Sequence, residues 1–467
     1  MPKRNLAWIL VVAVIALLMW QLPQTIARRD SVLKAFGALV DARAQIHRRY
    51  VDSVDESKLV DAAVDAGIRA MIHDLNDPHA VYLNENDYKR FQDRTDGRYG
   101  GIGVEVWITE LGLEVLSREP NSPAIRAEIL PGDIITHIDS RPTTGMPLAE
   151  VANMLHGPPD TAVKLTVITP SDKAREVTLF RAIIKLDPIH GWSRSPSGGW
   201  RFMLDPELGI GYVRLVKFTP DLAIRLDEEI DLLLRRNLRG LILDLRENTG
   251  GLLDSAREVA DKFLERGLIV RTSGRKADEK QWFAMREGTY PNFPLSVLVN
   301  GSTASAAEIV AGALRDHKRA VVVGERTYGK GSVQEVVELN DNNGAIKLTT
   351  AYYYLPSGRC IHRAAKANRD GEWGVEPNLP VKLSDAQRSK WLVAWRDIGR
   401  EIVDDAPDRP TTMPTSVKES EGREAVEALL NADRQLRKAL EYHRELLKRE
   451  ENPESASKDQ PVLDDIN

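Results

Sequence analysis

The stretch Leu295-Ser-Val-Leu-Val-Asn-Gly-Ser-Thr-Ala-Ser-Ala-Ala-Glu308 passes from an apolar run, through small and polar residues, into a helical pattern. Such a stretch predicts a strand, a tight turn and a helix. Similar patterns surround it, with strands expected at 211–215, 241–245, 268–272 and 320–323 and helices at 221–236, 252–265 and 305–315. Alternating strands and helices indicate an α/β layer structure for this part of the chain.

Composition limits the classes of protein that need to be considered. A chain of 467 residues is too long for one ordinary core and predicts two or three domains. A net charge of −5 without a basic stripe argues against a nucleic-acid partner. The single cysteine, Cys360, excludes an internal disulfide framework, and none of the nine histidines stands in a metal-ligand spacing. We therefore expect neither a metal nor another cofactor.

The N-terminus has the pattern of an export signal. Lys3 and Arg4 precede the apolar run 6–20. That run, about 17 residues when extended to Leu22, reaches the lower limit for crossing a bilayer. Thr25-Ile-Ala27 is a poor cleavage site, which favours a retained anchor over a cleaved signal. Either form of segment 1–27 predicts an exported chain, periplasmic or otherwise extracytoplasmic, with the anchored form held in the inner membrane.

The composition and spacing of the residues divide the rest of the chain into four regions. Residues 28–96 have helical spacing, and residues 97–187 read as short strands with two small helices, typical of a compact β-rich domain. Residues 188–400 carry the α/β pattern, and residues 401–467 are a polar linker followed by a helix expected at 421–447. The composition of that last helix suits packing on the core and self-association equally.

The residues around Lys330 have two interpretations, and the first is a phosphate loop that binds a nucleotide. The run Gly324-Glu-Arg-Thr-Tyr-Gly-Lys330 follows an apolar strand and nearly spells that motif. However, Gly331 stands where the magnesium-binding hydroxyl should be. Moreover, residues 332–339 read as a strand, whereas a phosphate loop must open a helix. The sequence therefore argues against a nucleotide site.

A hydrolase makes better use of the same residues. Ser305 needs a base to become a nucleophile, and a lysine serves when a dry site keeps it neutral, so Lys330 must have a lowered pKa. The Ala306 N–H at the helix start and the glycines of Asn248-Thr-Gly-Gly251 offer donors for an oxyanion, and Gln334 is placed to orient the amine.

Ordinary structural roles fit these residues as well. A serine before a helix is commonly a cap, and a lone lysine is commonly a surface charge. Glu308 suits a favourable acid in the first helical turn. The residues alone leave the catalytic and the structural interpretations open.

Several motifs in order give the chain a family resemblance. It resembles the carboxyl-terminal processing peptidases, also called tail-specific proteases, from about residue 35 to 380. The motifs that carry the resemblance are Asp77-Pro-His79, Tyr99-Gly-Gly-Ile-Gly103, Pro131-Gly-Asp133, Asp244-Leu-Arg-Glu-Asn-Thr-Gly-Gly251, Ala304-Ser-Ala-Ala-Glu308, Gly329-Lys-Gly-Ser-Val-Gln334 and Pro356-Ser-Gly-Arg359.

The resemblance implies a multidomain α+β fold. Its parts are an N-terminal helical region, a PDZ domain at 97–187, a crotonase-like α/β peptidase core at 188–400 that also receives part of 28–96, and a C-terminal helical tail. It further implies Ser305 as nucleophile, Lys330 as general base, Gln334 as the orienting partner and Gly251 and Ala306 as oxyanion donors.

The expected activity is that of a serine endopeptidase acting at or near the C-termini of proteins. The N–H groups of Gly101, Ile102 and Gly103 in the PDZ loop would capture the free terminal carboxylate of a protein or peptide substrate. The alternative is a non-catalytic PDZ scaffold that only binds such tails. Further expected partners are the membrane, through the N-terminal segment, and a second copy of the chain in a homo-oligomer.

Overall fold

A computed structural model describes residues 36–169, 174–195, 199–276, 278–340, 344–363, 371–400 and 419–451. The expected signal or anchor at 1–27 and most of the expected linker, 401–418, lie outside these residues. Within the described ranges, no helix combines the length and the apolar character needed to cross a bilayer. The chain divides into two compact units, Met1–Glu85 with Val336–Leu348, and Asn86–Glu335 with Thr349–Asn467.

The first unit is mainly helical, as its spacing predicts. Residues 36–49 form α1, and α2 spans Glu56–His73. Asp55 caps α2 by accepting backbone N–H bonds of Ser57 and Lys58. A short strand that the periodicity did not predict, β1 (Val81–Leu83), pairs antiparallel with residues 345–347. Its side chains at 82 and 83 are buried, which explains why an otherwise weak strand forms.

The second unit begins with α3 (Glu85–Thr95, all but its first residue) and a β-rich domain. The elements are β2 Arg98–Gly101, β3 Val104–Thr109, β4 Gly112–Arg118, α4 Pro123–Arg126, β5 Ile134–Ile138, β6 Arg141–Pro142, α5 Leu148–Leu155, β7 Ala162–Ile168, β8 Ala174–Phe180 and β9 Ala182–Lys185. Strands β3, β4, β5, β7 and β8 form one antiparallel sheet in that order, and β2 pairs with β9. Because β3 is an edge strand, its outer backbone groups are available to a further strand.

The α/β part follows in the same unit. Its elements are β10 Ile189–His190, β11 Ser193–Arg194, β12 Trp200–Arg201, β13 Met203–Asp205, β14 Ile210–Leu215, α6 Leu222–Arg235, β15 Gly240–Asp244, α7 Leu253–Asp261, β16 Gly267–Ser273, β17 Lys280–Ala284, β18 Leu295–Val299, α8 Ala306–Asp316, β19 Val321–Gly324, β20 Ser332–Glu338, β21 Ala345–Tyr354, β22 Leu379–Pro380 and α9 Asp385–Gly399. Helix α7 ends four residues before the predicted 265.

A central sheet organises this part in the order β10-β14-β15-β18-β19-β22, and it is parallel from β14 onward. Successive strand residues face opposite sides, so Leu241 and Leu243 join one apolar cluster while Ile242 joins another. The first cluster contains residues of α6, α7 and α8, and the second contains residues of the C-terminal helices. A parallel sheet covered on both faces explains why these strands read as continuous apolar runs.

The C-terminal helix predicted at 421–447 is two helices. They are α10 (Glu419–Ala432) and α11 (Arg434–Glu451), and the chain breaks between them at Asp433. The break has a physical cause, because the Asp433 carboxylate accepts the Leu436 N–H and so caps α11. Leu429, Leu440 and other side chains of both helices are buried in the second cluster, so the pair packs on the core. The predicted class, multidomain α+β with helical regions at both ends, is confirmed.

Candidate active site

Three loops that leave neighbouring parallel strands carry the predicted site residues. The loop after β15 contains Gly251, the loop after β18 contains Ser305, and the loop after β19 contains Lys330. The carboxyl ends of parallel strands share one edge of the sheet, and ligands of open α/β sheets bind at that edge. The strand order therefore brings together residues that are up to 79 positions apart along the sequence.

Ser305 sits in a strained turn at the start of α8. Its backbone has φ 57° and ψ −119°, a conformation that costs a non-glycine residue about 1–3 kcal/mol. The strained turn places a nearly buried serine, 9% exposed, at a strand-to-helix junction. This is the geometry that exposes a nucleophile to a reacting carbonyl.

Two backbone donors beside this turn have no acceptor among the described residues. They are the N–H groups of Gly251 and Ala306. Phe218 holds the backbone on both sides of Gly251. Its N–H donates to Gly250 O at 3.2 Å, and its carbonyl accepts the Leu252 N–H at 2.9 Å. A side chain at Gly250 would place its Cβ 2.8 Å from Ser305 Cβ, so only glycine allows this close approach. Unpaired N–H groups near a serine suit the binding of an oxyanion.

Glu308 fastens the serine turn to the lysine loop. One carboxylate oxygen accepts the N–H groups of Ser305, at 2.9 Å, and Lys330, at 2.8 Å. The other accepts the Gly329 N–H at 2.7 Å and the Thr327 hydroxyl. The residue is fully buried, and burial raises the pKa of its carboxyl while the four donors oppose that rise. Three of the donors are backbone N–H groups, which can only donate, so the arrangement fits the ionised acid.

Glu308 is the residue whose importance the sequence reasoning missed. A serine followed three positions later by glutamate is the signature of a capping box, and the Ser305 N–H does donate to Glu308, although the sequence analysis took this residue only as a favourable first-turn acid. The remaining three bonds reach into the loop after β19. That loop is 19 to 22 positions further on, so no local pattern predicts the contact.

Lys330 lies in the loop after β19, and Gln334 lies in the strand that follows, β20. Within the described residues, no hydrogen bond joins Lys330 Nζ to Ser305 Oγ, and none joins it to Gln334. The Gln334 amide instead donates to the carbonyl and the hydroxyl of Ser332, at 3.1 and 2.8 Å. The backbone N–H of Lys330 donates to Glu308 at 2.8 Å.

The β-rich domain has an apolar groove between β3 and α5. Its lining includes Ile102, Val104, Leu148 and Val151. At one end lie Ile102 and Gly103, whose carbonyls accept hydrogen bonds while their N–H groups have no acceptor in the described part of the chain. Donors at the end of an apolar groove suit a chain terminus, with the carboxylate on the N–H groups.

Among the described residues, no group of three or more histidine, cysteine, aspartate or glutamate side chains is arranged to hold a metal ion. Cys360 is buried, as expected of a structural cysteine, and burial raises the pKa of its thiol. The thiol is therefore a poor nucleophile.

Comparison with known proteins agrees with this architecture. Residues 209–381 match the model of peptidase family S41, residues 114–169 match a PDZ domain model, and residues 20–87 match the model of the activating protease CtpB N-terminal domain. The carboxy-terminal-processing protease of Bartonella bacilliformis is 36% identical over 364 residues, which cover 77% of this chain and 77% of that protein.

The chain is also similar to two further proteins. The chloroplastic carboxyl-terminal-processing peptidase 2 of Arabidopsis thaliana is 35% identical over 331 residues, covering 68% of this chain and 60% of that protein. The solved structure of a photosystem II D1 C-terminal processing protease is 26% identical, covers 84% of this chain and 97% of its own, and has a TM-score of 0.44.

A PDZ domain joined to a peptidase core defines the class of this protein, which is a serine peptidase. The chain belongs to the carboxy-terminal processing proteases of peptidase family S41.

Proposed function

We propose that the protein cleaves protein substrates at or near their C-termini, with Ser305 as nucleophile and Lys330 as general base. The observation that carries this proposal is the Glu308 carboxylate, which accepts backbone N–H groups from both of these residues. One buried acceptor thus fixes the two backbone positions that a serine–lysine dyad must hold in register. A purely capping glutamate would have no reason to bond to the second loop.

The proposed chemistry is acyl transfer in two steps. Lys330 Nζ takes the Ser305 hydroxyl proton as Oγ bonds to the substrate carbonyl carbon, and the negative oxygen is held by the Gly251 and Ala306 N–H groups. The C–N bond then breaks as the ammonium returns its proton to the leaving amine. Water then attacks the acyl carbon with Lys330 as base, the C–Oγ bond breaks, and the lysine gives the water proton to Ser305 Oγ as the carboxylic acid product leaves. Gln334 would orient the amine after turning away from Ser332.

The PDZ domain is proposed to select the substrate by its free end. A peptide added to the open edge of β3 would place alternate side chains in the groove. Its terminal carboxylate would meet the loop of Gly101, Ile102 and Gly103. An apolar terminal residue is the best match to the groove lining.

The test is cleavage of an internally quenched peptide that ends in a free apolar residue, compared with the same peptide amidated. Ser305→Ala and Lys330→Ala are expected to abolish turnover, whereas Ser302→Ala and the exposed Lys280→Ala serve as matched controls. Amidation is expected to raise KM. Unchanged cleavage by both site variants would refute the dyad, and wild-type protein that binds the peptide without turnover would indicate a tail-binding scaffold.

We also propose export through the N-terminal segment, on the basis of Lys3, Arg4 and the apolar run 6–20. Fractionation of cells and N-terminal sequencing of the mature protein measure export and cleavage separately. The expected homo-oligomer also stays a prediction. Side chains of α1 and α2 such as Phe36, Met71 and others leave apolar surface exposed, and light scattering of the purified chain measures self-association.

A further inference from the structure

A buried arginine connects the loop after β15 to the C-terminal helices. Arg246 is fully buried, two positions after the end of β15. Its guanidinium bonds to Asp244 at 2.6 to 3.0 Å and forms a bidentate pair with Asp433, at 2.8 and 2.7 Å. A third acceptor, Gln435 Oε1, lies 3.2 Å away. Asp433 lies between α10 and α11, 187 residues further along the chain.

This network lies in the loop of the proposed oxyanion hole, which indicates a role beyond stability. The proposed oxyanion donor Gly251 belongs to the same loop as Arg246. Between them, Asn248 bonds through its side chain to Leu215 O and the Gly250 N–H, and its carbonyl accepts the Ala304 N–H at 2.9 Å. The start of the loop is therefore anchored on Arg246, and its middle contacts the residue just before Ser305.

The charges explain why both carboxylates are needed. Burial opposes ionisation of Asp244, but Arg246 outweighs this effect and lowers the pKa of that acid. With Asp433 present, the single buried cation faces two buried anions, and the indole of Trp391 lies 4.8 Å from the guanidinium carbon. Asp244 alone leaves the Nη1 side of the guanidinium without a carboxylate, because its bonds go to Nε and Nη2. The fork geometry therefore fixes Arg246 in one orientation only when Asp433 is in place.

We infer that Asp433 is a positioning residue for the oxyanion loop and acts through Arg246. The C-terminal helical pair then completes the catalytic core from the opposite end of the chain, in addition to covering its apolar face. This inference rests on the proposed oxyanion hole. It predicts that loss of the Asp433 charge lowers kcat, because a shift of about 1 Å in a catalytic group costs about 100-fold in rate.

The test uses the full chain and the quenched peptide with a free C-terminus. Asp433→Asn is expected to lower kcat about 10- to 100-fold while KM changes less than about 2-fold. The matched control is Leu447→Ala, which removes a buried side chain from the same helix about 21 Å along its axis. Both variants are characterised by thermal unfolding, so that kcat is compared at equal loss of stability.

A double variant separates positioning from general loosening. If Asp433 acts through Arg246, then Arg246→Lys combined with Asp433→Asn lowers kcat no further than the stronger single variant. Equal kcat losses in Asp433→Asn and Leu447→Ala, or an unchanged kcat in Asp433→Asn, would overturn the inference. If Asp433→Asn does not fold, Gln435→Ala replaces it, with a loss of about 2- to 5-fold expected and no loss counting against the inference.

The result is distinguishable from failure of the proposed function. Ser305→Ala that still cleaves the peptide would remove the nucleophile, and the proposed oxyanion hole with it. Ser305→Ala that is inactive, together with equal effects of Asp433→Asn and Leu447→Ala, would remove only the positioning role.

Discussion

Replacing Glu308 by glutamine is the sharpest test of how the site is held together. The carboxylate accepts four hydrogen bonds, two on each oxygen, from Ser305, Thr327, Gly329 and Lys330. An amide has only one acceptor oxygen, so its NH2 group must face two of the present donors. Its better orientation puts the nitrogen toward Thr327, whose hydroxyl can turn to accept. The Gly329 N–H then remains buried without an acceptor.

The expected cost follows from these bonds. One buried orphan donor costs about 1–3 kcal/mol, and loss of the charge weakens the bonds that remain, giving a total of about 3 kcal/mol. A domain of about 150–250 residues loses about 2–4 °C of Tm per kcal/mol, so Glu308→Gln should lower the Tm by about 6–12 °C. Because the substitution loosens both Ser305 and Lys330, kcat should fall about 100-fold.

Thermal unfolding is monitored by tryptophan fluorescence, and peptide cleavage is measured below the unfolding transition. Glu258→Gln, an exposed glutamate on α7, is the matched control and should change neither quantity. A Glu308→Gln variant with the Tm and kcat of the wild type would show that the carboxylate does not hold the two loops. The proposed serine–lysine dyad would then lose the main structural observation in its favour.

Three further predictions test other parts of the structure. Gly250→Ala should lower kcat at least 10-fold, since its Cβ would lie 2.8 Å from the neighbouring Cβ at a φ of 99°, whereas Gly301→Ala has open space and should be neutral; equal rates would contradict this. His443 is buried with its pKa lowered to about 3, so only the unfolded state takes up its proton as pH falls below about 6.5. Urea unfolding should therefore show about 2.7 kcal/mol lost by about pH 4.5 from this group, and equal acid sensitivity in His443→Gln would refute it. Leu148→Ser in the groove should raise KM about 10-fold for the free tail without changing kcat, unlike the exposed Leu111→Ser; equal KM values would exclude the groove.

The sequence predicted the parts of the site that depend on local patterns. Apolar runs that end in small residues predicted the strand ends, and the turn after β18 predicted that Ser305 would begin a helix. Local sequence accounts for only one of the four hydrogen bonds of Glu308, because the other three depend on β18 and β19 being neighbours. The pair of Arg246 and Asp433 was not accessible at all. Its partners are 187 residues apart, and nothing near Asp433 distinguishes it from a surface aspartate in a helical, charged segment.

The buried acceptors fix the backbone at the proposed catalytic residues. Glu308 holds the backbone of Ser305 and Lys330, and the contacts of Phe218 hold the backbone of Gly251. Rearranging a loop backbone would cost about 1–2 kcal/mol for each residue fixed. Variants that release the backbone, such as Glu308→Gln, should therefore reduce kcat more than any change that alters tail binding alone.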